Sequence, residues 1–295
     1  MLPIDIHRLI FEYLEFKSKH DYKKNCKQFD KIEITNLSDI PDKYQEKITN
    51  DILSNYKKIK YLDIRYDNIT NFNHLTNLKE LYVYCSNELA NKNIKKCVYL
   101  SDLYIVNCPN VTDINHLTNL VSLAMIGNCC VKNDGIKNCT DIEILNINYN
   151  DNITNINHLT KLRRLSACGH FYTDDCGLNN DGIINCTNLE HLDISNNNNM
   201  TDLNHLTCLR ELIINDNHVM NNYGIIKCSN LEYLDVSNSE KITDINHLTK
   251  LTELLVRYNG GLDNEGTKNC TKLKMIDTTT NDKYNKFRKL RKYNC

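Results

Sequence analysis

Apolar positions along this chain fall into a recurring phrase. From Ile153 to Leu162 the sequence reads ITNINHLTKL, and near-copies begin at Ile69, Val111, Met200 and Ile242, so that successive copies are 42, 42, 47 and 42 residues apart. A second phrase alternates with it, as KKCVYLSDLYIVNC from Lys95, KNCTDIEILNINYN from Lys137, INCTNLEHLDISNN from Ile184, IKCSNLEYLDVSNS from Ile226 and KNCTKLKMIDTTTN from Lys268. Self-similarity at a fixed period is the signature of a tandem array. Aligning the two phrases gives one template, L-x-x-L-x-[LIVMA]-x-x-[NCSHD]. Its middle apolar residue stands at Leu62, Leu81, Leu103, Leu123, Leu145, Leu165, Leu192, Leu212, Leu234, Leu254 and Ile276, mostly in steps of 20 and 22, with one of 19 and one of 27.

The template predicts a short strand in every unit. Side chains alternate across a strand, so Leu-x-Ile turns its apolar residues inward and leaves the intervening ones outward. One turn cannot bury its own apolar edge, so each stacks on neighbours about 4.8 Å away and builds a parallel sheet along one side. About a dozen residues remain for the return path, which favours 3₁₀ or extended backbone over full α-helices. The last template position holds Asp67, Ser86, Cys108, Asn128, Asn150, His170, Asn197, Asn217, Ser239, Asn259 and Asn281. These are expected to form a ladder that satisfies backbone groups where the chain leaves the sheet.

The template resembles the leucine-rich repeat, over about residues 59 to 281. The resemblance implies an α/β solenoid: a right-handed coil whose parallel sheet lines a concave face, built from about eleven repeats over 61–282. Residues 31–60 lead into it: Lys31 to Ile34 has strand form, and Tyr44, Ile48, Ile52 and Tyr56 follow Pro41 at helical spacing, as a capping repeat with an outer helix. Residues 283–295 form a basic tail or cap, in which Lys283, Lys286, Arg288, Lys289, Arg291 and Lys292 alternate with Tyr284, Phe287, Leu290 and Tyr293.

Residues 1–30 stand outside the array. Leu2, Ile6, Leu9, Ile10, Tyr13 and Leu14 share one helical face, and Ser18 to Asp21 reads as a capping box for a second short helix bearing Tyr22, Cys26 and Phe29. Leu2-Pro3, Asp5, Ile6, Ile10, Tyr13, Leu14 and the closing Cys26 to Phe29 resemble an F-box. That resemblance implies docking on the Skp-type adaptor of cullin–RING ubiquitin ligases through Leu2, Pro3, Ile6, Ile10 and Leu14, with the repeats holding a target protein. The alternative is a plain cap over the open end of the solenoid, which such arrays require.

Composition narrows the functional classes. The net charge of −1 argues against nucleic-acid or membrane-surface binding, both of which want a basic face. Met1 to Leu14 is interrupted by Asp5, His7, Arg8 and Glu12, so neither a signal peptide nor a membrane span is expected, and the protein reads as intracellular, in the cytoplasm. Fourteen cysteines suggest disulfides at first sight. However, Cys97, Cys139, Cys186, Cys228 and Cys270 recur every second turn, about 10 Å apart, where a disulfide needs Cα atoms within about 7 Å. His74, His116, His158, His205 and His247 are spaced likewise, too far apart to share a metal ion, and read as a structural ladder. No nucleophile, base and orienting group recur together, and no phosphate-binding glycine loop is present, so neither an enzyme nor a cofactor is expected. The step of 27 places an insertion at Cys168 to Gly177.

Candidate contacts therefore lie on the outward strand positions. Tyr61, Tyr82, Tyr84 and Tyr104 form an aromatic patch on the first turns, the kind of anchor protein partners use. Later turns become acidic, with His191, Asp193, Glu211, Tyr233 and Asp235, relieved by Arg257, and suit a basic partner segment. Richness in Asn, Lys and Ile and near-identical repeats resemble proteins from A·T-rich genomes, large DNA viruses among them.

Overall fold

A computed structural model describes residues 36–37, 49–54, 56–65, 69–170 and 177–281. Among the described residues, twelve parallel strands form one sheet whose spatial order is the order of the sequence. They are β1 (Asn36–Leu37), β2 (Tyr61–Ile64), β3 (Glu80–Tyr84), β4 (Asp102–Val106), β5 (Ser122–Ile126), β6 (Ile144–Asn146), β7 (Arg164–Ser166), β8 (His191–Asp193), β9 (Glu211–Ile213), β10 (Tyr233–Asp235), β11 (Glu253–Leu255) and β12 (Met275–Asp277). The middle Leu of each template pairs in register with the next, from Leu62 opposite Leu81 through Leu234 opposite Leu254 to Leu254 opposite Ile276. Leu37 extends the row by pairing with Leu62.

Outside the strands the apolar residues recur every third position. Ile153, Ile156, Leu159, Leu162 and Leu165 are all essentially buried, as are Ile183, Cys186, Leu189 and Leu192. This period belongs to three-residue turns: Leu159 N–H donates to the Ile156 carbonyl at 2.9 Å and Leu162 N–H to the Leu159 carbonyl at 3.1 Å. The return path of alternate turns contains a 3₁₀ turn, at Asn91–Asn93, Asn133–Gly135, Asn180–Ile183, Asn222–Ile225 and Glu265–Thr267. The described α-helix is the five-residue α1 (Asn50–Ser54). The expected α/β solenoid is thus corrected to a parallel β-solenoid, because repeats this short leave no room for a helix between strands. α1 falls in the segment read as helical from Pro41, whereas Lys31 to Ile34 and all of residues 1–30 lie outside the described residues, as do 282–295.

Glycine is required where a 3₁₀ turn touches the backbone of the preceding turn. A Cβ on Gly224 would stand 2.3 Å from the Thr201 carbonyl oxygen, and one on Gly266 2.1 Å from that of Thr243. The same two glycines accept, through their own carbonyls, the amides of Leu203 at 2.7 Å and Ile245 at 2.8 Å, stitching turn to turn.

Two side-chain columns fill the interior. Six residues before each middle apolar position from Leu81 onward stand, in turn, Leu75, Cys97, Leu117, Cys139, Leu159, Cys186, Leu206, Cys228, Leu248 and Cys270, none more than 5 % exposed. Large and small side chains alternate, so the column interdigitates. Each thiol donates to a carbonyl of the preceding turn: Cys97 to Phe72 at 3.3 Å, Cys228 to Leu203 at 3.4 Å, Cys270 to Ile245 at 3.3 Å. The described cysteines are free thiols. The histidines follow: Nε2 of His116, His158, His205 and His247 lies 3.1 to 3.2 Å from the carbonyls of Ile94, Ile136, Ile183 and Ile225. A carbonyl only accepts, so each ring carries its proton on Nε2.

The ladder at the last template position forms with two corrections and one exception. Asn150, Asn197, Asn217, Ser239, Ser86, Cys108 and Asn281 are buried. Asn217 is typical: its Oδ1 accepts Val219 N–H at 3.0 Å and Met220 N–H at 2.7 Å while Nδ2 donates to the Asn197 carbonyl at 2.7 Å. Asn128 and Asn259, by contrast, are exposed. Cys129 replaces Asn128, its Sγ 3.6 Å from the Ile105 carbonyl, and the buried Gly260 backbone replaces Asn259. His170 is the exception: it is half-exposed and its ring tilts onto that of Tyr149 at 5.2 Å, just where the insertion begins. Asp67 and residues 171–176 of the insertion lie outside the described residues.

Candidate functional site

With the middle Leu of β2 to β11 and Ile276 of β12 pointing inward, the residues one before, one after and three after it face outward in three rows. The row after it runs Asp63, Tyr82, Tyr104, Ala124, because Asp63 pairs with Tyr82, Tyr82 with Tyr104 and Tyr104 with Ala124. Hydrogen-bonded strands hold these rows about 4.8 Å apart, a spacing that suits stacked aromatics.

Three of the four expected tyrosines come together. The Tyr82 and Tyr104 rings stack at 5.8 Å with an interplanar angle of 29°, and Tyr84 tilts onto Tyr104 at 5.7 Å. The Arg65 guanidinium lies 5.9 Å from the Tyr84 ring centroid and 3.6 Å from the Asp63 carboxylate. Tyr61 stands in the neighbouring row, opposite Glu80, and joins no ring stack among the described residues. Glu80 in turn faces Asp102 across the strands. Burial, then the Asp102 charge, raises the Glu80 carboxyl above its usual range. Burial followed by the Glu80 and Asp102 charges raises the Tyr82 phenol, and burial followed by Asp63 raises that of Tyr84. Tyr82 and Tyr84 therefore keep their hydroxyl protons at neutral pH and present donors beside carboxylates.

The middle of the face is a shallow hollow of about 280 Å³ between Ile144, Arg164, Ser166, Asp193 and Ile213. Ile144, Arg164 and Ile213 occupy the same outward rows as the tyrosines. The alternation about the middle Leu marks all three, although they are neither acidic nor aromatic and so escape a search for those types. The hollow is smaller than a typical small-molecule pocket and open, a shape that suits a polypeptide side chain.

Beyond it the face becomes acidic. Glu190, Glu211, Glu232 and Glu253 follow one another on four successive turns and surround Tyr233 in a second hollow of about 280 Å³. Pairing is partial: Arg163 lies 3.3 Å from Glu190, Arg210 3.7 Å from Glu232, and His191 Nδ1 2.5 Å from Glu211. Burial first, then Asp235, raises the Tyr233 phenol. The aspartates are engaged differently from the expectation that they are open contacts. Asp193 Oδ1 accepts the Ser195 amide and hydroxyl, and Asp235 Oδ1 accepts those of Ser237 at 3.0 and 2.6 Å. Asp235 is only 5 % exposed. Arg257, expected to relieve the acidic face, is held by Asp277 at 2.7 Å. Asp277, bonded by the Thr279 hydroxyl and then by Arg257, titrates below the usual carboxylate range.

Among the described residues no three His, Cys, Asp or Glu side chains converge as a metal site, and no helix is long and apolar enough to cross a membrane. The adaptor-docking set Leu2, Pro3, Ile6, Ile10 and Leu14 lies outside the described residues.

No protein-family profile matches the chain, and no characterised protein matches it in sequence. Solved structures do. An internalin (inlF) from Listeria monocytogenes is 27 % identical with a TM-score of 0.61, over 78 % of this chain and 70 % of that one. The functional domain of InlJ from the same organism, which includes a cysteine ladder, is 21 % identical with a TM-score of 0.56, over 79 % of this chain and 51 % of that one. TLR13, solved in complex with ssRNA13, is 18 % identical with a TM-score of 0.54, over 78 % of this chain and 41 % of that one. The chain has the leucine-rich-repeat fold.

Proposed function

We propose that this chain is a non-enzymatic protein-binding solenoid and that it serves as the substrate-recognition subunit of a cullin–RING ubiquitin ligase inside the cell. The target lies on the exposed sheet face, and residues 1–30 dock on the Skp-type adaptor. The observation that carries the binding role is the Tyr82, Tyr84 and Tyr104 cluster, three aromatic rings held outward by a rigid sheet. Such side chains bring large contact area at low entropic cost, and anchors of this kind are worth about 2 kcal/mol or more each. The acidic rows repel phosphate, which favours a protein target over nucleic acid. The adaptor role is supported by Leu2, Pro3, Ile6, Ile10 and Leu14 in their F-box-like order. A scaffold or inhibitor with no ubiquitin link is the alternative.

Capture on an immobilised Skp adaptor separates the two. The full chain is expected to bind, and the Leu2→Asp/Ile6→Asp variant to lose capture while its circular dichroism stays unchanged. Tyr82→Ala/Tyr104→Ala should keep adaptor capture and lose at least about tenfold in affinity for the target. A folded full chain that ignores the adaptor removes the ligase assignment and leaves the scaffold.

A further inference from the structure

The two halves of the exposed face differ in charge. On β8 to β12, the residue before each strand and the position three after each middle apolar residue, the outward positions carry seven carboxylates (Glu190, Asp193, Glu211, Glu232, Asp235, Glu253, Asp277) against three bases (Arg210, Arg257, Lys274). The same positions on β2 to β6 carry four, Asp63, Glu80, Asp102 and Glu143, against three, Lys60, Arg65 and Lys79. The acidic half also holds exposed apolar surface, with Met275 44 % exposed. It is the half from which the chain leaves the array, and six of the ten residues from Lys283 to Lys292 are Lys or Arg, with Tyr284, Phe287 and Leu290 between them.

We infer that the chain's own residues 283–295 dock across the acidic half of the exposed face, over Glu211, Glu232, Glu253 and Tyr233. Three features of the molecule select this occupant. Charge is complementary in sign, six bases meeting a face with a carboxylate excess, and the interleaved aromatics have Tyr233 and Met275 to pack on. Reach is ample: the fourteen residues after Asn281 span at most about 46 Å, while β12 to β9 is three strand spacings, about 14 Å. Tethering also favours it, since a short linker holds the segment at millimolar effective concentration, above that of any free basic peptide. Docked there, the tail screens the acidic rows, and a basic partner segment must displace it. The aromatic cluster at the other end stays open.

Zero-length carbodiimide coupling of the full chain at low micromolar concentration tests this, with the linked peptides mapped by mass spectrometry. Expected are intrachain amide links from Lys283, Lys286 or Lys289 to Glu211, Glu232 or Glu253. They should exceed links to the exposed Glu240 and Glu265, which lie off the sheet face, by about tenfold. High salt and the Glu232→Gln/Glu253→Gln variant should both abolish them with circular dichroism unchanged. Links spread evenly over all exposed carboxylates, or none from the tail, overturn the inference. So do links found only between chains in a mixture of isotopically light and heavy protein. The experiment contains no adaptor and no target, so its outcome is independent of the binding role proposed above.

Discussion

At the scale of the residue, what stabilises each turn is a set of amides placed where backbone groups have no strand partner. Among the described residues, nine positions four residues after the middle apolar residue have positive φ, including Asn107, Asn196, Asp216 and Asn238, with Gly127 the one glycine. Left-handed backbone costs most L-residues about 1–2 kcal/mol, and Asn and Asp least, which accounts for several of the choices. Tyr149 and Tyr258 carry that strain without an amide to offset it. Directly after this corner comes the buried ladder, and Asn217 shows its worth. Replacing it with Ala strands the Val219 and Met220 amides and the Asn197 carbonyl in the interior. Asn217→Ala should cost about 3 kcal/mol in urea unfolding, whereas exposed Asn259→Ala should change stability by no more than about 0.5 kcal/mol. Equal midpoint shifts for the two variants would falsify this account of the ladder.

At the scale of the element, the strand register was legible because a single rule governs it. An inward Leu must meet the next inward Leu, and all eleven template positions do so. The return path was legible only in outline. Its period of three is present in Ile69, Phe72, Leu75 and Leu78, but the strand template stops short of it. Asn128 and Asn259 were misplaced because counting from the middle Leu ignores an extra residue in the corner. A further ladder went unread: Asn222 Oδ1 accepts the amides of Thr243 and Asp244, and Asn50, Asn91, Asn133 and Asn180 make the same bridge to the next turn. Exposed polar residues repeated for packing look like those repeated for solubility, so sequence alone gives no reason to single them out. On the face, outward positions follow from alternation, yet pairing does not. Asp193 and Asp235 look open until Ser195 and Ser237, two residues on, are seen to engage them. The cysteine column offers a direct check. Burial pushes the thiols of Cys97, Cys186 and Cys228 up to about 12. In the native protein at pH 7.5, iodoacetamide should modify the exposed Cys85 and Cys208 and leave those three untouched until denaturant is added. Native labelling of Cys228 at the rate of Cys208 would mean that the column is open to solvent.

At the scale of the whole molecule, stability is a sum over neighbouring turns, so a modest effect repeated along the array becomes large. Two histidines of the ladder supply such an effect. Burial lowers the pKa of His158 and His205 from 6.5, outweighing the hydrogen bonds to Ile136 and Ile183 that act the other way. The folded state therefore favours neutral imidazole, and the unfolded chain takes up protons first as pH falls. The resulting stability is complete above the unfolded value of about 6.5 and is lost progressively as pH drops below it, towards the lower folded pKa values. The Asp277 carboxylate responds lower in the scale: held down by Thr279 and Arg257, it gives up its contribution only as pH falls through the carboxylate range. The thermal midpoint should thus fall between pH 7.5 and pH 5.5, before Asp277 titrates. Replacing His158 and His205 together with Gln, which retains a donor but no titrating ring, should flatten that part of the profile while lowering stability at pH 7.5. If the double variant keeps the full slope between pH 7.5 and 5.5, the acid sensitivity arises elsewhere and the ladder is only a packing device.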